Sequence, residues 1–265
     1  MYGFDYQRPG SRDAAKAAAT GADTRYLAGG QSLIQAMRLR LSQSERLVDL
    51  GGIADLKAIN ADGTGVTIGA MATHAAVASN GDVKRVLPAL AELAAGIGDP
   101  MVRNMGTIGG SIANADPAAC YPAGVLALNA TIHTDRRKIA ADDFFTGLYE
   151  TALQPGELIT AVSFPAAQKA AYIKYKQPAS RFALIGVFVA QTAGGVRVAV
   201  TGAKGHVFRA RQIEDALGKT FSADAAKAVK MPLDDINSDL HGSAEYRAAM
   251  ISVMASRAVA AALAR

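Results

Sequence analysis

The chain has a single cysteine, Cys120, in 265 residues. One thiol cannot form a disulfide within the chain, and it cannot supply the several thiolates that an iron–sulfur cluster or a cysteine-rich zinc site needs. Tryptophan is absent and aromatics reach only 6%, so a core has to be built from Ala, Val, Leu and Ile. No apolar run approaches the roughly 20 residues that span a bilayer; the longest is Phe182 to Ala190. The start, Met1-Tyr2-Gly3-Phe4-Asp5, lacks a basic segment followed by an apolar one, so no secretory signal and a cytoplasmic location are expected. Charge is not concentrated. The formal net charge is +5, but the densest basic cluster, Arg136-Arg137-Lys138, reads as a solvated turn and not as a nucleic-acid surface.

Several chemical signatures are missing as well. No G-x-x-x-x-G-K-[ST] occurs. Gly96-Ile97-Gly98 carries Met101 where the third glycine of G-x-G-x-x-G belongs, and it follows a helix, not a strand, so neither common nucleotide fingerprint applies. His74, His133, His206 and His241 share no metal-ligand spacing and are expected to be structural. Asp142-Asp143 and Asp234-Asp235 read as turn pairs, and no nucleophile stands beside a base.

Hydrophobic residues make up 50% of the chain and charged residues 19%, ample for a packed fold. Periodicity and turn chemistry predict helices over Asp13–Thr20, Leu33–Arg40, from Thr73, over Leu87–Gly96, Arg211–Leu217, Ala223–Val229 and about Ser243–Ala264. Strands are expected at Arg25–Ala28, Arg46–Leu50, Lys57–Asn60, Gly65–Gly69, Ala130–Thr134 and Glu157–Phe164. Glycine-rich irregular chain is expected from Gly96 to Asp116. After Pro165 consecutive strands with glycine turns give way to helices, which places a domain boundary near residue 167.

Two glycine motifs carry chemistry. Ala28-Gly29-Gly30-Gln31-Ser32-Leu33 joins a strand to a helix. Two residues without Cβ let backbone N–H groups approach an anion, and the helix adds its positive end. Gly106-Thr107-Ile108-Gly109-Gly110-Ser111-Ile112-Ala113-Asn114-Ala115-Asp116-Pro117 combines glycines, hydroxyls and an amide. Wrapped round a polar ligand, such a loop would satisfy its own backbone groups.

Together these motifs resemble the FAD-binding subunits of the xanthine dehydrogenase and carbon monoxide dehydrogenase family. The pattern there is A-G-G-x-S-L, then R-N-x-G-T-I-G-G, here Arg103 to Gly110. The resemblance continues through Asp116-Pro117-Ala118-Ala119, Pro155-Gly156-Glu157-Leu158-Ile159, Tyr172-Ile173-Lys174-Tyr175-Lys176-Gln177 and Glu245-Tyr246-Arg247. It implies an α+β chain. Two α/β subdomains of the PCMH-type flavoprotein fold, about 1–56 and 57–167, would form an FAD-binding domain. A smaller domain at 168–265 would follow, with a three-stranded antiparallel sheet and helices.

The resemblance also implies roles. Arg25, Leu27, Ala28, Gly29, Gly30, Gln31, Ser32 and Leu33 would line the FAD diphosphate. Thr107, Gly110, Ser111 and Asn114 would face the phosphate and ribityl side. Ile97 and Ile159 would lie beside the cofactor, and Lys176 would bring a cation to the flavin. Relatives often carry Asp where Cys120 stands, so either the ribityl contact shifts or Asp116 takes it over. Gln31 replaces a histidine that can bond FAD covalently in the broader oxidase fold, so non-covalent FAD is expected.

The implied function is electron transfer within a molybdenum hydroxylase. A large molybdopterin-binding subunit and a small [2Fe–2S] subunit would complete a heterotrimer or its dimer. Electrons would pass from the clusters to this FAD and on to an external acceptor. Two other readings stay open on the residues alone: a self-sufficient FAD-dependent oxidoreductase, and a scaffold subunit without flavin.

Overall fold

The computed structural model describes residues 1–21 and 23–265. At the N-terminal end β1 (Asp5–Gln7), α1 (Arg12–Ala18), β2 (Thr24–Leu27), α2 (Leu33–Arg38) and β3 (Arg46–Asp49) form a parallel sheet in the order β1-β3-β2. Ser11 starts α1 by accepting from Ala14 N–H at 3.2 Å, the side-chain cap that satisfies an otherwise orphaned donor. The core here is small: Ala15, Val48, Leu50, Ile53 and Leu56, sealed by Met71 and Leu158 from the next layer.

That layer begins with the hairpin β4 (Ile59–Ala61) and β5 (Gly65–Gly69). Asp62 shapes its turn by accepting from the N–H groups of Thr64 and Gly65 at 2.7 and 3.0 Å. Six helices follow: α3 (His74–Ser79), α4 (Gly81–Val86), α5 (Pro88–Ala95), α6 (Pro100–Met105), α7 (Ile108–Asn114) and α8 (Tyr121–Ala127). Then come β6 (Thr131–Thr134), β7 (Lys138–Ala140), α9 (Ala141–Phe144), the small pair β8 (Phe145–Gly147) and β9 (Glu150–Thr151), and β10 (Ile159–Pro165). The sheet is antiparallel, in the order β4-β5-β10-β6-β7.

The glycine-rich stretch expected to be irregular is in fact two short helices. Asp99 caps α6 through Val102 N–H at 2.9 Å with Pro100 in the first turn, and Thr107 caps α7 through Gly110 N–H at 3.1 Å. Caps offset the low helix propensity of glycine here.

The C-terminal sheet holds β11 (Lys169–Lys176), β12 (Ala183–Thr192), β13 (Gly195–Thr201) and a two-residue fourth strand, β14 (Phe208–Arg209), one more than the three the resemblance implies. Its helices are α10 (Arg211–Lys219), α11 (Ala223–Ala228) and α12 (Ala244–Leu263). Alternation along β12 sends Ile185, Val187 and Val189 toward Ile251, Met254 and Ala258 of α12. Phe188 and Ala190 go the other way, onto Leu90, Leu93 and Tyr121. Burial on both faces accounts for the unbroken apolar run in this strand.

Asp142 is not a turn residue but sits on α9. It accepts from Arg197 Nη1 at 3.2 Å and Arg209 Nη1 at 3.4 Å, and Arg197 Nε also donates to Leu126 O at 2.9 Å. Two arginines of the C-terminal sheet are thereby tied to the middle layer. Among the described residues no helix is long and apolar enough to cross a membrane.

Candidate functional site

A cavity of about 670 Å³ opens where the three sheets meet, within the ~300–1,000 Å³ usual for small-molecule sites. Its walls come from the β2–α2 loop, the α5–α8 segment, the start of β10, and β11 with the turn that follows it.

The first loop is cut to fit the second. Gly30 has φ of +70°, which glycine adopts without strain. A Cβ on Gly29 would lie 2.7 Å from the Met105 carbonyl carbon and 2.8 Å from Gly106 Cα. From the other side, a Cβ on Gly110 would come within 3.3 Å of Ala28 Cβ. Glycine on each loop makes room for its neighbour, so the two motifs form one continuous wall. The N–H groups of Gly30, Gln31 and Ser32 meet no acceptor among the described residues, and the exposed Ser32 hydroxyl makes no capping bond to α2. Three free amides and a hydroxyl at a helix start are what an anion would occupy.

The second loop is satisfied by protein. Ile108 N–H donates to Ala72 O at 3.1 Å, Gly109 N–H to Ala70 O at 2.9 Å, and Ser111 N–H to Thr107 O at 3.0 Å. After α7, Ala115 in the left-handed region (φ 47°) turns the chain. Asp116 then accepts from Ala118 N–H at 2.8 Å and from Tyr149 Oη at 3.4 Å. Arg103 Nη1 donates to Ile97 O at 2.9 Å and fixes the turn that carries Ile97.

His74 supports this wall and borders the cavity. Its N–H donates to Gly106 O at 2.9 Å, and its ring lies 5.3 Å from that of Tyr121. Burial, assisted by the Arg103 cation, lowers the imidazole from 6.5 to about 4, so it is neutral at pH 7. Its Nδ1 and the Tyr121 hydroxyl are both buried without a partner among the described residues. Burial, and then the neighbouring Cys120 thiol, push the Tyr121 phenol far above its ordinary range.

Cys120 is buried at the cavity wall. Its sulfur lies 3.3 Å from Lys174 Nζ, which also donates to Gly96 O at 2.9 Å.

The motif residues Arg25, Leu27, Ala28, Gly29, Gly30, Gln31, Ser32, Leu33, Ile97, Thr107, Gly110, Ser111, Asn114, Asp116, Cys120 and Ile159 all border this one cavity. Lys176 does not; the lysine at the wall is Lys174. Both belong to the same face of β11. Lys176, however, lies one pleat further out, about 6–7 Å along the strand, beyond the irregularity between Tyr175 and Lys176, and it is exposed. His74, expected to be structural, Glu157, quoted only as part of a motif, and residues 179–182, not singled out in sequence, also line the cavity. Strand parity from the inward Tyr172 was a usable signal for Lys174. For His74, only its place directly after the Thr73 cap was available.

Comparison with known proteins gives the same family from three directions. Residues 2–167 match the family described as FAD binding domain in molybdopterin dehydrogenase. The carbon monoxide dehydrogenase medium chain of Afipia carboxidovorans is 39% identical, the match covering 99% of this chain and 97% of that one. The nicotine 6-hydroxylase medium subunit of Paenarthrobacter nicotinovorans is 36% identical over 98% of this chain and 97% of its own. Among solved structures, reconstituted CO dehydrogenase from Oligotropha carboxidovorans superposes with a TM-score of 0.90 at 37% identity, covering 100% of this chain and 99% of that chain.

Proposed function

The chain belongs to the family of FAD-binding medium subunits of molybdenum hydroxylases, and from that premise we propose that it relays electrons from [2Fe–2S] clusters on a partner subunit to an external acceptor. The observation that carries this reading is the joined wall of the two glycine loops, with free amides on one side and a half-buried lysine on the other.

The residues present fit FAD. The N–H groups of Gly30, Gln31 and Ser32 would hold the diphosphate, with α2 adding the positive end of its dipole. Thr107 Oγ1 is engaged as an acceptor toward Gly110 N–H, so its proton is free to donate. Ser111 and Asn114 offer further polar groups along the same wall. Ile97 and Ile159 provide apolar surface for a planar ring system, and the neutral His74 presents an unsatisfied ring nitrogen. Gln31 has no nucleophilic nitrogen for a covalent flavin link, so the cofactor is held non-covalently. When bound, FAD supplies the ability to accept electrons singly and release them in pairs.

The lone, buried Cys120 cannot ligate a cluster. The clusters therefore belong to a small partner chain and the molybdopterin to a large one, in a heterotrimer or its dimer. Within this chain, residues 1–167 form the cofactor-binding part, divided near residue 56, and 168–265 form the C-terminal domain. The passage from β10 to β11 between Pro165 and Lys169 supports that division.

The test is the purified complex. It is expected to hold about one FAD per copy of this chain, released intact by acid precipitation. The clusters are expected to be reduced before the flavin when substrate is added. A complex free of flavin that also ignores added FAD would overturn the reading.

A further inference from the structure

An ammonium group has three hydrogen-bond donors and no acceptor. In Lys174 two of them are used, one on Gly96 O at 2.9 Å and one on Cys120 Sγ at 3.3 Å. No carboxylate pairs with this lysine among the described residues. A half-buried cation without a counter-charge is costly. Electron density brought by whatever occupies the cavity would offset that cost. Burial holds the neighbouring Tyr172 phenol well above its ordinary range, so it is neutral and supplies no charge either.

We propose that Cys120 is a positioning residue: its sulfur aims the Lys174 ammonium so that the remaining N–H donates into the cavity, toward the flavin ring of FAD. This rests on the FAD reading above. Cysteine suits the task in a way that a carboxylate would not. The Cys120 sulfur accepts only a weak hydrogen bond and leaves the ammonium to face the cavity, whereas Asp at this position would form an ion pair with Lys174. When two electrons reach FAD with one proton, the cofactor gains one negative charge, and a fixed cation beside it favours that reduced form. Cys120 thus sets the redox poise of the site through Lys174 without touching the reacting atoms.

The experiment is a reductive titration of FAD-loaded protein against a reference dye, on wild type, Cys120→Ser, Cys120→Asp, Lys174→Arg and Lys174→Met, with FAD content measured for each. Lys174→Met and Cys120→Asp are expected to weaken the preference for reduced over oxidised FAD about tenfold, which is about 30 mV more negative for a two-electron couple. Cys120→Ser, which keeps a neutral acceptor, and Lys174→Arg, which keeps the charge, are expected to stay near wild type. If Lys174→Met and Cys120→Asp retain FAD at the wild-type potential, Lys174 is structural and the inference is overturned while the FAD reading stands. If wild-type protein holds no FAD, the reading fails and the inference fails with it.

Discussion

The two glycine loops read alike in sequence and are held in opposite ways. Gly106 to Ser111 is anchored in the main core: its amides are bonded to Ala70, Ala72 and Thr107, and Ile108 and Ile112 are fully buried. The Gly29–Ser32 loop belongs to the small N-terminal sheet and takes its shape by leaning on Met105 and Gly106. One loop is a finished piece of protein. The other keeps its amides open. The pair shows how a binding wall can be divided into a rigid template and a receptive partner, with rigidity placed where the core can support it.

Substitutions should separate the two roles. Gly109→Val is expected to act mainly on stability, lowering it by about 2–3 kcal/mol, because a Cβ there would lie 2.6 Å from Ala70 Cβ and 2.7 Å from Ala70 O. Thermal unfolding of the FAD-free protein measures this, and an unchanged Tm would show that the template is softer than its packing implies. Acid should reach the same loop through His74. Its folded-state pKa of about 4 lies below the ordinary 6.5, so between those values the unfolded chain binds a proton that the folded one excludes. The stabilisation is complete above pH 6.5 and is lost as pH falls toward 4, by up to about 3 kcal/mol. Denaturant melts across this range should show that slope, and His74→Phe should flatten it.

Gly29→Ala drives a Cβ against the Met105 carbonyl and Gly106, so it is expected to push the first loop off its template, lowering Tm as well as weakening FAD binding at least tenfold, the equivalent of about one charge-assisted hydrogen bond. Quenching of flavin fluorescence during titration reads it directly. The smallest effects pair two hydroxyls. Thr107→Ala should lower stability by about 1 kcal/mol as a lost cap. Ser32→Ala should leave Tm in place and reduce FAD affinity severalfold, about 0.5–1.5 kcal/mol. If both substitutions moved Tm equally, the contrast between the loops would be wrong.

Much of this was legible in the residues. The first glycine motif, the helices opening at Thr73 and Ser243 and the unbroken apolar run of β12 are local signals, and local chemistry decides them. What was not legible depends on distant partners. The helices of the second motif arise from caps within a segment whose glycines argue for loop. Asp142 becomes an ion-pair hub only because β13 and β14 carry Arg197 and Arg209 to it. That Lys174 lines the cavity while Lys176 lies beyond the irregularity after Tyr175 depends on the register of β11 across β12, which no local signal carries.

The cavity draws its walls from Arg25 through Phe182, whereas the N-terminal parallel sheet has few buried side chains of its own. A molecule lodged there works as mortar between masonry courses laid far apart along the chain. Drained of it, the course with the thinnest bedding should loosen first. Its exposed connection at Leu39, Arg40 and Leu41, with Arg40 in the left-handed region at φ 60°, offers trypsin a foothold. Cleavage there, ahead of any cut in the long C-terminal helix, would register cofactor loss before absorbance or melting curves reported it.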